Sequence, residues 1–186
     1  PRVVEHAPAR QLAHFVEHMA FNGTAHYKKQ ELVNYLESVG MRFGPDLNAY
    51  TSFDETVFML QIPTDSLPVV ENAFVILEDW AHGISFDDDE IDKERGVVIE
   101  EWRLGRGAGQ RMRDKQFPVL FKDSRYAQRL PIGEKSIIEK CRHETLRRFY
   151  RTWYRPELMA VIAVGDFDRS RIEHLIRERF SKIEAT

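Results

Sequence analysis

The stretch LAHFVEHMAFNGT, residues 12–24, sets His14 and His18 four apart, with Glu17 directly before the second histidine. Residues four apart on an α-helix differ by about 40° in direction, so both imidazoles leave one face and can share an ion. Zn²⁺ accepts imidazole nitrogens readily, and a catalytic zinc site needs a third protein ligand while keeping one position for water. Glu17 flanks the pair and is placed to accept a proton from that water. The alternative is chance decoration of an ordinary amphipathic helix. The metal reading therefore makes a demand on the fold: a third ligand must be brought in from elsewhere in the chain.

A separate argument supplies that ligand. In a helix over 91–104, with Glu94 taken as the origin, Ile91 and Val98 fall within about 60° on one side, and Val97 and Leu104 within about 80° on the other. Glu101 follows two turns after Glu94, nearly in line with it. Both carboxylates thus lie in the apolar arc, while Asp92, Lys93, Gly96 and Arg103 lie opposite. Carboxylates facing a core are costly unless they are paired or hold a cation. A salt bridge to arginine is the ordinary solution for one of them. Two in register, beside a histidine pair short of a ligand, point to metal. Glu101 is then the third ligand, and Glu94 orients a ligand histidine from behind.

The rest of the pattern places these helices in an α+β fold, a mainly antiparallel sheet covered by helices. Helical spacing runs over 12–21 and stops at Asn22-Gly23, and a second helix ends at Gly40. Residues 47–51 and 57–62 read as paired strands. Long amphipathic helices follow, one capped by Asp65 or Ser66 and one by Ser85. GRGAG at 105–109 lacks the ending of a phosphate loop and reads as a flexible loop. The last third gives a helix, an apolar strand over 158–166 (LMAVIAVGD) and a final helix.

Bulk properties exclude several classes. The chain has 186 residues, 42% hydrophobic and 31% charged, and a net charge of −3, which gives no strong field for nucleic acid or anionic membrane. No apolar stretch approaches the length of a membrane span. The single cysteine, Cys141, allows no internal disulfide and reads as a packing residue. The acids at 87–90 lack the calcium-loop pattern and suit the first turn of a helix. Arg142, Arg147, Arg148, Arg151 and Arg155 alternate with aromatics, but on an acidic chain they do not make a nucleic-acid surface. His26, His82, His143 and His174 have no partner at ligand spacing. The opening PRVVEHAPAR has neither an initiator Met nor a leader pattern, so the chain reads as a piece of a longer protein.

Together, LAHFVEHMAFNGT, LNAYTSFDET, ERGVVIEEW and FYRTWYRPELMAVIAVGDFD resemble, in order, the pitrilysin/insulinase family of zinc metallopeptidases, whose inverted motif is H-x-x-E-H. The likeness is strongest to its bacterial envelope zinc proteases and covers nearly the whole chain. The resemblance implies one zinc per chain held by His14, His18 and Glu101, with Glu17 as general base and Glu94 in support. It also implies that Asn48, Ala49 and Thr51 border an extended peptide added as a further strand; for Asn48 the plain alternative is a turn cap. Residues 1–186 are then a partial N-terminal peptidase domain, 1–140 carrying the zinc-site core and 141–186 a helix–strand–helix that closes it. The family's first strand and distal domains are absent, including an Arg/Tyr pair that helps polarise the scissile carbonyl. Gln11 replaces the usual glycine, and the spacing from His18 to Glu101 is somewhat long. The expected activity is endopeptidase hydrolysis of peptides or unfolded segments by metal-activated water, in the bacterial periplasm or envelope, weak or absent in the chain alone. The alternative is a non-catalytic subunit or scaffold of the same family, against which the intact His14, Glu17, His18 and Glu101 argue.

Overall fold

The computed structural model describes residues 12–42, 44–128 and 130–184; Gln11 lies outside them. The fold is α+β and helix-rich. In chain order the helices are α1 (Ala13–Met19), α2 (Glu31–Ser38), α3 (Leu67–His82), α4 (Asp88–Leu104), α5 (Ala108–Leu120), α6 (Lys135–Lys140), α7 (His143–Trp153) and α8 (Arg169–Phe180). Between α2 and α3, β1 (Leu47–Thr51) and β2 (Thr56–Leu60) pair as a two-stranded sheet, its turn closed by Ser52 N–H donating to the Glu55 carbonyl at 2.8 Å.

The residues form two compact units. The first holds α1, Tyr50–Val57 and Asp87–Phe149. Its core is Leu12, Phe15, Val16 and Met19 beside Ile91, Val98, Ile138 and Leu146, all essentially inaccessible. α1 packs on α4, and α4 on α6. Arg95 ties the last two together: its guanidinium donates to the Cys141 carbonyl at 3.0 Å and to the Ile138 carbonyl, and lies 5.7 Å from the Phe15 ring centroid. Those carbonyls belong to the end of α6, where no intrahelical partner remains, so one side chain caps a helix and fixes α4. With α4 fixed, so are its carboxylates.

The second unit comprises Ala20–Ala49, Phe58–Phe86 and the residues from Tyr150 onward. Trp80 is its centre, stacked on Phe58 at 5.2 Å and edge-on to Phe21 at 5.4 Å, with its indole N–H donating to the Ala20 carbonyl at 3.0 Å. α3 and α8 bury Val70, Phe74, Ile172 and Leu175 together. The Gly23 turn after α1 has φ +132°, and a Cβ there would meet Ser85 Oγ at 2.8 Å, so only glycine allows the Thr24–Ile84 bridge beside it.

Several local expectations change. The N-cap of α4 is Asp87, not Ser85, whose N–H instead donates to the Gly23 carbonyl at 3.1 Å. The loop over 105–109 shrinks to a joint: Gly105 ends α4, Gly107 caps α5, and Ala108 and Gly109 are helical. α5 buries no residue and contains Pro118, so it left no core-facing periodicity to read. Residues 158–166 carry no strand pairing among the described residues, and Val164 is 91% exposed. An apolar run becomes a strand only where a neighbouring backbone takes its N–H and C=O groups. The first-turn acids of α4 have partners besides the helix dipole: Asp88 pairs with Arg147 and His143, and Glu90 with Lys93 at 2.6 Å, while Asp92, a turn further on, also accepts from His143 at 2.8 Å.

Candidate metal centre

α1 and α4 cross in the first unit with their polar residues directed at one another. His14 Nε2 lies 3.3 Å from His18 Nε2, His18 Nε2 lies 3.1 Å from Glu101 Oε2, and His14 Nε2 lies 3.6 Å from Glu101 Oε1. Three donors on a tetrahedral zinc, each about 2.0–2.1 Å from the ion, are separated by about 3.3 Å. The three side chains fit that triangle. Among the described residues they are the one group of this kind whose donor atoms converge within 4.8 Å.

The supporting contacts point the same way. His18 Nδ1 donates to Glu94 Oε1 at 2.8 Å, which leaves the Nε2 lone pair facing the other two donors. Burial alone would lower the His18 pKa, but the Glu94 hydrogen bond, then the charges of Glu94, Glu101 and Glu17, raise it above the ordinary imidazole range. His14 is shifted the other way, by burial and then by His18, against a smaller pull from Glu101, so it favours the neutral form a ligand needs. Its Nδ1 is buried without a hydrogen-bond partner among the described residues. Glu17 is raised by burial, opposed by its hydrogen bond from Thr51 and by the His18 charge. A carboxylate lifted towards neutrality is a stronger base near neutral pH.

Glu94 and Glu101 do not share one environment, as the helical arc implied. Glu94 is 8% exposed, whereas the Glu101 side chain is 50% exposed. α4 buries the stripe Ile91, Glu94 and Val98 and leaves Val97 and Leu104 in solvent. α1 is about 10 Å long against about 25 Å for α4, so it covers only part of the longer helix. Glu101 therefore reaches the histidines from the open side.

Thr51 lies beside Glu17, donating to Glu17 Oε2 at 2.5 Å. Asn48 and Ala49 belong to the second unit, where Asn48 Oδ1 accepts the Ala49 N–H at 2.9 Å. The contact between Thr51 and Glu17 had no signature in the sequence beyond a threonine at a strand end. Asp79 was not anticipated either: it is buried in the second unit and accepts from Thr24 Oγ1 at 2.6 Å, the His26 N–H at 3.1 Å and His26 Nδ1 at 2.7 Å. His82 pairs at 3.6 Å with Glu78 on its own helix.

The family profile described as Insulinase (Peptidase family M16) matches residues 6–105. The chain belongs to the insulinase family of M16 peptidases. A further M16 profile, described as the inactive domain, matches residues 140–186. His14, Glu17, His18, Thr51, Glu94 and Glu101 all fall in the insulinase match and none in the other. The M16 relatives include a protein named zinc protease PQQL-like from Arabidopsis thaliana, 40% identical over 179 residues, and the probable zinc protease PqqL of Escherichia coli (strain K12), 40% identical over 174 residues. Those matches cover 96% and 94% of this chain and 19% of each relative. The crystal structure of the periplasmic protease PqqL from Escherichia coli matches with a TM-score of 0.93 at 38% identity, over 98% of this chain and 20% of that one. The chain thus spans about a fifth of the length of these M16 relatives.

Proposed function

We propose that this chain is the metal-binding part of the N-terminal domain of a zinc endopeptidase that acts on extended peptides or unfolded segments. The observation that carries the reading is the convergence of His14, His18 and Glu101 on one point, with the far nitrogen of His18 held by Glu94 and with Glu17 on the same helix. His14, His18 and Glu101 are the zinc ligands, one ion per chain, and Glu94 orients His18.

Zinc, when bound, supplies a Lewis acid for the scissile carbonyl. Glu17 takes a proton from the attacking water as the new C–O bond forms. It then passes that proton to the amine nitrogen as the C–N bond breaks. No acyl-enzyme arises, because the nucleophile is water. The β1 segment of Asn48, Ala49 and Thr51 borders the substrate strand, whose main chain supplies most of the affinity. Residues 1–140 carry the site and 141–186 close the domain. Other domains of a longer polypeptide complete the substrate chamber, in the bacterial periplasm or envelope as for the PqqL protease, so the chain alone cleaves slowly or not at all.

The test is elemental analysis of the purified chain beside His18→Ala and Glu101→Ala. About one zinc per chain, lost in both variants, supports the assignment; equal zinc in all three refutes the ligand set. Rapid peptide cleavage by the isolated chain would contradict the need for further domains.

A further inference from the structure

The Glu17 carboxylate is anchored from outside its own helix. Thr51, the last residue of β1, places Oγ1 2.5 Å from Glu17 Oε2 and 3.2 Å from Oγ1 of Thr56, the first residue of β2. A hydroxyl owns one proton, and an ionised carboxylate only accepts. The Thr51 proton is therefore committed to Glu17, and the contact between the two threonines can run in one direction only, from Thr56 to Thr51. Each bond in such a chain strengthens the next. Glu17 Oε1 takes no hydrogen bond among the described residues, so one oxygen is held and the other is left to act.

We propose that Thr51 and Thr56 form a one-way hydrogen-bond relay that positions Glu17 as the proton acceptor of the site. The proposal rests on the peptidase reading above. Both threonines are positioning residues, acting through Glu17. Their side chains are β-branched and stiff at χ1, and they sit where the hairpin turn locks the two strands, so the anchor is as rigid as the hairpin. A general base must be held within a fraction of an ångström to work at full rate. The relay also separates Thr51 from Asn48 and Ala49: its hydroxyl serves the carboxylate and is not available to a substrate.

The test compares Thr51→Val, which keeps the shape and loses the hydroxyl, with Thr51→Ser, which keeps the hydroxyl and loses the methyl. Both are made in the zinc-loaded full-length polypeptide that carries this sequence. Thr51→Val lowers kcat by about 10- to 100-fold, the range expected when a reacting group is misplaced by about 1 Å. KM and zinc content hold. Thr51→Ser stays within about threefold of the unmutated protein, and Thr56→Val falls between the two. Crystal structures give a readout independent of turnover: the Glu17 carboxylate stays in place in Thr51→Ser and turns away in Thr51→Val. Equal activity of Thr51→Val and the unmutated protein overturns the relay, as does a Thr51→Ser as impaired as Thr51→Val. A rise in KM alone would make Thr51 a substrate contact instead. If the unmutated polypeptide takes up no zinc and cleaves nothing, the peptidase reading fails. The position of Glu17 in the two crystal structures still decides whether the threonines hold it.

Discussion

The molecule uses the same pairing twice, with different results. In the first unit a buried carboxylate, Glu94, takes the Nδ1 of His18 at 2.8 Å; in the second, a buried carboxylate, Asp79, takes the Nδ1 of His26 at 2.7 Å. Asp79 is satisfied on its own terms, with Thr24 and a backbone N–H completing its shell, and the His26 ring is mostly in solvent. Glu94 instead backs a ring whose other nitrogen faces two more donors. A carboxylate–imidazole pair is therefore not a site in itself. What lies opposite the second nitrogen decides whether the pair orients a ligand or fastens a loop.

That contrast can be broken at several points. The largest effect belongs to Glu17→Gln, which keeps zinc in the full-length polypeptide and lowers kcat by about 10²- to 10⁴-fold, the usual contribution of a general base; steady-state kinetics beside metal analysis checks it. Next is Glu94→Gln, expected to weaken zinc binding by about 10- to 100-fold, as loss of a carboxylate behind a ligand histidine does. A competition titration with a chelator reads that change, and an unchanged affinity would place Glu94 outside the site. In the second unit, Asp79→Ala leaves zinc affinity alone and costs about 3 kcal/mol, because Thr24 and His26 lose a shared buried acceptor. Denaturant unfolding measures it. The smallest effect is His26→Ala, about 0.5–1 kcal/mol, since its ring is exposed.

Acid acts on the zinc site through His18. His18 stands above the ordinary imidazole range, chiefly because the bond and charge of Glu94 outweigh its burial. In the metal-free protein its contribution to stability is full below the unfolded pKa and is lost as pH rises through the raised folded value. Zinc must displace that proton, so zinc occupancy falls as pH drops through the same region. Glu94→Gln binds zinc more weakly throughout, but the pH at which proton competition for His18 sets in moves lower, and His26→Ala leaves it in place. Zinc affinity measured across pH in the unmutated protein and the two variants reads the one shift and the one absence of a shift.

The legible part of the site was the part written in helical period. The spacing of His14, Glu17 and His18 dictates a common face, and the register of Glu94 with Glu101 follows from α4 alone. The lengths of the partner helices were not encoded in that period. A short α1 leaves Glu101 half in solvent while burying Glu94, so two carboxylates that look equivalent in sequence differ in the fold. The chain of contacts from Thr56 through Thr51 to Glu17 has no signal in the sequence, because a hairpin end carries no periodic mark of what faces it; the family resemblance singles out Thr51 only as a neighbour of the substrate strand. α5 has no buried face to mark it in the sequence, and residues 158–166 read as a strand because apolar β-branched residues report propensity, whereas pairing depends on a neighbour. The hairpin over 47–60 was readable, since an apolar run follows turn residues there, although that run reads as a buried strand and β2 is only half-buried.

The central claim is that His14, His18 and Glu101 hold one zinc ion. Crystals of the zinc-loaded protein, with anomalous scattering recorded on either side of the zinc edge, test it most directly. The account predicts a single strong peak about 2.0–2.2 Å from Nε2 of both histidines and from a Glu101 carboxylate oxygen, with the Glu94 contact to His18 Nδ1 intact. No peak at that point, or a peak held by other residues, would contradict it.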